Sequence, residues 1–93
     1  MKEYSNRGKE WLSFSRLVLQ HIEEYTVPQY GDKPDDPVHE YEIKDCVRAI
    51  NKYANRHGKG QRGQAEELRD LLKIAHFACV AHTKHQEANN DRE

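Results

Sequence analysis

Apolar residues recur at steps of three and four in three separate stretches of this chain, and nowhere do they alternate with polar ones over the length of a strand. From Lys9 to Tyr25, the residues Trp11, Phe14, Val18, Ile22 and Tyr25 form one stripe, widened by Leu12 and Leu19, which predicts a first amphipathic helix. Pro28 and Gly31 are expected to close it. The segment VPQYGDKPDDP that follows cannot continue a helix and reads as a loop. Asp36 before Pro37 is a start signal, because aspartate can cap free amides and proline fits the first helical position. The second helix should begin there, carry Ile43, Cys46, Val47, Ile50, Tyr53 and Ala54 toward the core, and end at Gly58. RHGKGQRGQ is then a second loop. The third helix should run from about Gln64 to about His85, with Leu68, Leu71, Leu72, Ala75 and Cys79 on its main face.

These elements predict an all-α fold: a small bundle of three main helices in a single domain over residues 1–93, with 1–8 and 86–93 frayed. Three helices this apolar leave surface to cover, so completion by a homodimer or higher homo-oligomer is expected.

Composition narrows the function classes. Lys and Arg number 15 against 16 Asp and Glu, which leaves no overall field to draw the chain onto nucleic acid or an anionic membrane. No apolar run approaches the roughly 20 residues that span a bilayer, and MKEYSNRGKEW lacks the apolar segment of a signal peptide, so a cytoplasmic protein is expected. Cys46 and Cys79 both fall among apolar residues, which suits reduced core thiols better than a disulfide.

Candidate chemistry lies in the acids. Glu42 and Asp45 on the second helix, and Glu67 and Asp70 on the third, are two pairs at i and i+3, each on one flank of its helix's apolar stripe. Below Glu67 and Asp70 the flank continues as Ile74, Phe77, Ala78 and Ala81, so it is not a simple solvent face. Carboxylates drawn toward such surroundings need a cation, a proton or a hydrogen-bond donor. Acids in the first turns of a helix also complement its dipole, and that bland role competes with a functional one. Four convergent carboxylates would form an oxygen-rich site for Mg²⁺ or Mn²⁺.

EIKDCVRAI, a loop, then EELRDLLKIAHFACVA resembles the MazG-like all-α nucleoside triphosphate pyrophosphohydrolases, whose signature is ExxE, a spacer, then ExxD. The resemblance covers roughly residues 38 to 83, with Asp45 standing where the family usually has Glu. It implies metal-dependent cleavage of a nucleoside triphosphate to monophosphate and pyrophosphate, with Glu42, Asp45, Glu67 and Asp70 as ligands of Mg²⁺ or Mn²⁺. In that setting Arg56, Lys59 and Arg62 would meet phosphates, and Trp11, Tyr30 or Tyr53 could stack on a base.

Two other readings compete. His82 and His85, three apart, with His76 earlier on a different face, have one spacing that zinc accepts but lack the partners of a familiar zinc set, and His39 near Glu42 does not complete a di-metal site. The other is non-enzymatic: a small helical adaptor or inhibitor, of the kind phages and plasmids encode, that buries an apolar helix face against another protein, with YGDKPDDP as a recognition surface.

Overall fold

Ser5 starts the first helix: its hydroxyl accepts the Gly8 amide at 3.1 Å, supplying one of the partners that the first turn lacks. The computed structural model describes residues 3–59 and 63–91, and among these it holds only helices and turns. Helix α1 spans Asn6–His21, α2 spans Ile43–Asn55 and α3 spans Gln64–Asp91. The all-α class expected from periodicity is the class observed. None of these helices is long and apolar enough to cross a membrane.

Three boundaries differ from the sequence expectation. The helical run does not stop at Pro28. It widens into a π-helical turn over Ile22–Thr26, where the Val27 amide reaches back to the Ile22 carbonyl, and continues as a helical turn over Val27–Tyr30. A proline inside a helix lacks a donor and crowds the carbonyl four residues earlier, and a wider turn just before it relieves both. Gly31 closes the run, with its amide on the Val27 carbonyl at 2.8 Å and a φ of 94° that a side chain would strain.

The second boundary is at Asp36–Pro37, which opens only a 3-10 turn, Pro37–Glu40. Tyr41 and Glu42 are extended, and α2 starts afresh at Ile43 because a stronger cap lies there: Asp45 turns back to accept the Glu42 amide at 2.8 Å. The third boundary is the end of α3, which continues through residues 86–91, a segment expected to fray. At the other terminus Asn6 is already helical.

Helices α2 and α3 form an antiparallel hairpin. Arg56 just after α2 meets Asp70 near the start of α3, Phe77 midway lies between the rings of Tyr41 and Tyr53, and Lys84 donates to the His39 carbonyl at 3.1 Å. The π-helical turn after α1 leans on α3, with the Arg69 guanidinium 5.2 Å from the Tyr25 ring centre. At about 100° per residue, Asp70, Ile74, Phe77 and Ala81 share the face toward α2, and Arg69, Lys73 and His76 the flank near α1. The expected main face of α3 is packed only in part, with Leu72 and Ala75 half-buried. Leu68 and Leu71 are 55% and 41% exposed and Cys79 is exposed too, while the flank that carries Asp70 is covered.

The core is thin. Among the described residues Cys46 is the fully buried apolar side chain, and Ile43, Ile50, Ile74 and Phe77 of the same two helices are half-buried. Cys46 and Cys79 are both free thiols, the second at the surface instead of in the core. Trp11 and Leu19 on α1 are 58% and 57% exposed. The radius of gyration is 15.1 Å, against about 12 Å for a compact chain of this length.

Candidate functional site

Asp70 is the buried charge, 3% exposed. It accepts two hydrogen bonds from Arg56, Nε to Oδ2 at 2.8 Å and Nη2 to Oδ1 at 2.6 Å, in the parallel fork that a guanidinium and a carboxylate form best. Lys73 Nζ adds a second positive group 4.0 Å from Oδ1. The need for a counter-charge that the apolar flank implied is real, and it is met by protein cations. Arg56, expected to hold phosphate, is spent here. Donating to Asp70 raises the Arg56 pKa, and its guanidinium also lies 4.9 Å from the Tyr53 ring centre. Burial lowers the pKa of Lys73, and the charge of Asp70 works against that.

The other acids are elsewhere. Asp45 is the third residue of the α2 cap, with Oδ2 on the Glu42 amide at 2.8 Å and Oδ1 3.8 Å from Arg48 Nη1. Glu42 is exposed and faces Lys44 at 3.5 Å. Glu67 is half-buried in the first turns of α3. Each pair sits at the start of its own helix, and in an antiparallel hairpin the two starts lie at opposite ends. Asp45 precedes Arg56 by eleven helical steps, about 16 Å of rise, while Arg56 touches Asp70.

The sequence thus places both pairs on packed flanks, but the structure does not bring the four carboxylates around one ion. Among the described residues no three His, Cys, Asp or Glu side chains gather closely enough to hold a metal. A magnesium or manganese centre made of Glu42, Asp45, Glu67 and Asp70 does not fit this arrangement, and no catalytic step is derived through it. Lys59 is exposed in the turn after α2, and Arg62 lies outside the described residues. His82 and His85 are exposed on α3.

The larger concavity is one that the motif did not indicate. A cleft of about 370 Å³ opens where the π-helical turn, the 3-10 turn and the hairpin meet, walled by Tyr25, Tyr30, Tyr41, Tyr53 and Phe77. Phe77 is nearly parallel to Tyr41 and to Tyr53, each at 6.2 Å between ring centres, and His21 stacks on Tyr25 at 5.2 Å. Asp36, Lys73 and His76 supply the charged and titratable edge. A second cleft of about 250 Å³ shares Asp36, Val38 and His76 with the first.

Burial lowers the His76 pKa, opposed by the charge of Asp36, and burial also lowers that of His21, helped by Lys73 and Arg69. The phenol of Tyr53 is pushed up by burial. Tyr30 and Tyr53, expected to stack on a base, do line this cleft, whereas Trp11 is on the exposed side of α1 against Phe14. The roles of Asp36, Tyr41, His76 and Phe77 carry no local sequence signal, since they come from separate segments.

No protein-family model, curated protein or solved structure matches this chain.

Proposed function

We propose that this chain is a non-enzymatic helical interaction protein that pairs with a second copy of itself along α3. The observation that carries this reading is uncovered surface. The accessible area is 7598 Å², where a compact monomer of 11.0 kDa exposes about 5,600 Å². That excess, about 2,000 Å² per chain, is larger than the roughly 800 Å² that each partner of a standard dimer buries, so it leaves ample surface for such an interface.

The open side of α3 supplies a place for it. Leu68, Leu72, Ala75, Cys79 and His82 follow one another at steps of four and three, the spacing of a coiled-coil seam, with Leu68, Cys79 and His82 exposed and Leu72 and Ala75 half-buried. Glu67 and His85 border the same edge of that row near its two ends, so an antiparallel copy sets an acid beside an imidazole at both rims. A self-matching row of this kind suits a twofold interface.

Analytical ultracentrifugation over a dilution series tests the reading, together with melting at several protein concentrations. The wild type is expected to sediment as a dimer at tens of micromolar, with a midpoint that rises with concentration. Leu68→Lys with Cys79→Lys, both at exposed positions, is expected to give a folded monomer. A wild type that stays monomeric throughout removes the proposal. Hydrolysis of nucleoside triphosphates is read in the same samples with Mg²⁺ present: pyrophosphate release that Glu67→Gln abolishes would reverse the choice in favour of the pyrophosphohydrolase.

A further inference from the structure

Helix α1 shows more large apolar side chains to solvent than α3 does. Trp11, Leu17 and Leu19 are each more than half exposed and Leu12 is 37% exposed, whereas α3 shows Leu68 and Leu71. Pairing along α3 uses none of the α1 side chains. A standard interface takes roughly 800 Å² from each partner, less than half of the excess of about 2,000 Å² per chain, so a second contact has surface to draw on.

Arg7, Trp11, Ser15, Leu19 and Glu23 follow one another at steps of four, the ridge by which helices most often pack. The row begins in α1 and ends in the π-helical turn, beside Phe14, Val18 and Ile22, which are half-buried. Ser15 is the small residue at its middle. Its hydroxyl already donates to the Leu12 carbonyl at 2.8 Å, so a second helix can lie across it without stranding that donor. Arg7, with its side chain 90% exposed, and exposed Glu23 are the two ends.

We propose that α1 is a second self-association surface, on which two copies cross antiparallel at Ser15. In that arrangement Trp11 meets Leu19 and Arg7 meets Glu23 of the partner subunit, and twofold symmetry makes each contact twice. A parallel arrangement sets Arg7 on Arg7 and Glu23 on Glu23, so the charges select the antiparallel one. The α1 contact stands by itself; the larger assembly, in which it joins two α3 dimers into four chains, rests on the α3 pairing proposed above. The α1 contact is the smaller of the two and forms at higher concentration.

Sedimentation velocity from tens to hundreds of micromolar tests this on four full-length chains: wild type, Trp11→Lys with Leu19→Lys, Leu68→Lys with Cys79→Lys, and all these substitutions together. The wild type is expected to pass from two chains to four as it is concentrated, and the α1 variant to stop at two. The α3 variant, monomeric when dilute, is expected to pair at the concentrated end, with the emission of Trp11, the single tryptophan, moving to the blue. The fully substituted chain stays single. Arg7→Glu alone should raise the concentration needed for the α1 contact about fivefold, and adding Glu23→Arg should restore it. This charge swap serves if lysines on α1 disturb the fold. An α1 variant that associates like the wild type overturns the proposal, as does a charge swap that restores nothing. So does Trp11 emission that shifts with anionic phospholipid vesicles and not with protein concentration. Equal pairing of wild type and α3 variant, with the α1 variant monomeric, supports the α1 contact and removes the α3 seam, so the two readings fail separately.

Discussion

Asp70 and Arg56 hold the turn between α2 and α3 by a pair of unequal burial: the carboxylate is almost wholly enclosed, while the guanidinium reaches it from the rim over Tyr53. Removing one member of such a pair leaves a charge without its partner, which costs more than removing both. Arg56→Met is therefore expected to unfold at lower urea concentration than wild type, and the double variant Arg56→Met, Asp70→Leu to recover much of the loss. Equal midpoints for the single variant and the wild type would show that the fork contributes nothing. The same pair accounts for the acid on an apolar flank that the third stretch of sequence displays. An unneutralised carboxylate could be foreseen there, but the identity of its partner, fourteen residues earlier and across a loop, could not.

His76 and His21 carry a pH dependence of definite sign. Burial lowers both pKa values in the folded chain below the ordinary 6.5, so at a pH just under 6.5 the unfolded chain binds more protons than the folded one. Stability from this source is complete above 6.5 and is lost as pH falls through the lowered folded values. Urea midpoints measured from pH 7.5 to 5 are expected to decline, and His76→Gln, which cannot charge, to decline less. A His76→Gln series parallel to wild type would remove that assignment.

At the scale of elements, local chemistry decided where helices start, and tertiary packing decided which of their sides was used. Asp45 stabilises the beginning of α2 through the Glu42 amide, so Asp45→Ala is expected to cost about 1 kcal/mol, seen as a lower thermal midpoint. Asp45→Glu, the residue usual in the resembling family, keeps an acceptor in place and should melt near wild type. Two start signals competed within ten residues of each other, Asp36–Pro37 and Glu42 with Asp45, and the second won because it satisfies an amide that the first leaves alone. On α3 the apolar pattern is broad enough to offer two faces. Leu68, Leu72, Ala75 and Cys79 make one, and Ile74, Phe77 and Ala81 the other. Hydrophobic periodicity marks both and cannot rank them; α2 covers the second because Phe77 fits between Tyr41 and Tyr53 and Asp70 reaches Arg56.

Taken whole, the molecule is an open hairpin with a helix leaning on one end, and its extents of 44 × 41 × 25 Å leave apolar side chains of α1 and α3 in contact with solvent. A chain of this size can bury only a modest fraction of its surface alone, and a partner surface is the usual remedy. The expectation of a bundle completed by oligomerisation and the observed excess of surface point the same way, and the ultracentrifuge decides between them and a solitary chain.

Periodicity, caps and breakers along the chain were sufficient for the all-α class, the three helices and their approximate order, because each depends on contacts within a few residues: Ser5 on the Gly8 amide, Gly31 at positive φ, Asp45 on its own cap. The tertiary structure alone decided that the two acid pairs stand at opposite ends of the hairpin and that Asp36 lines an aromatic cleft instead of capping a helix. Those outcomes depend on the direction in which α2 and α3 run past each other and on rings drawn from four segments, and spacing along the chain encodes neither.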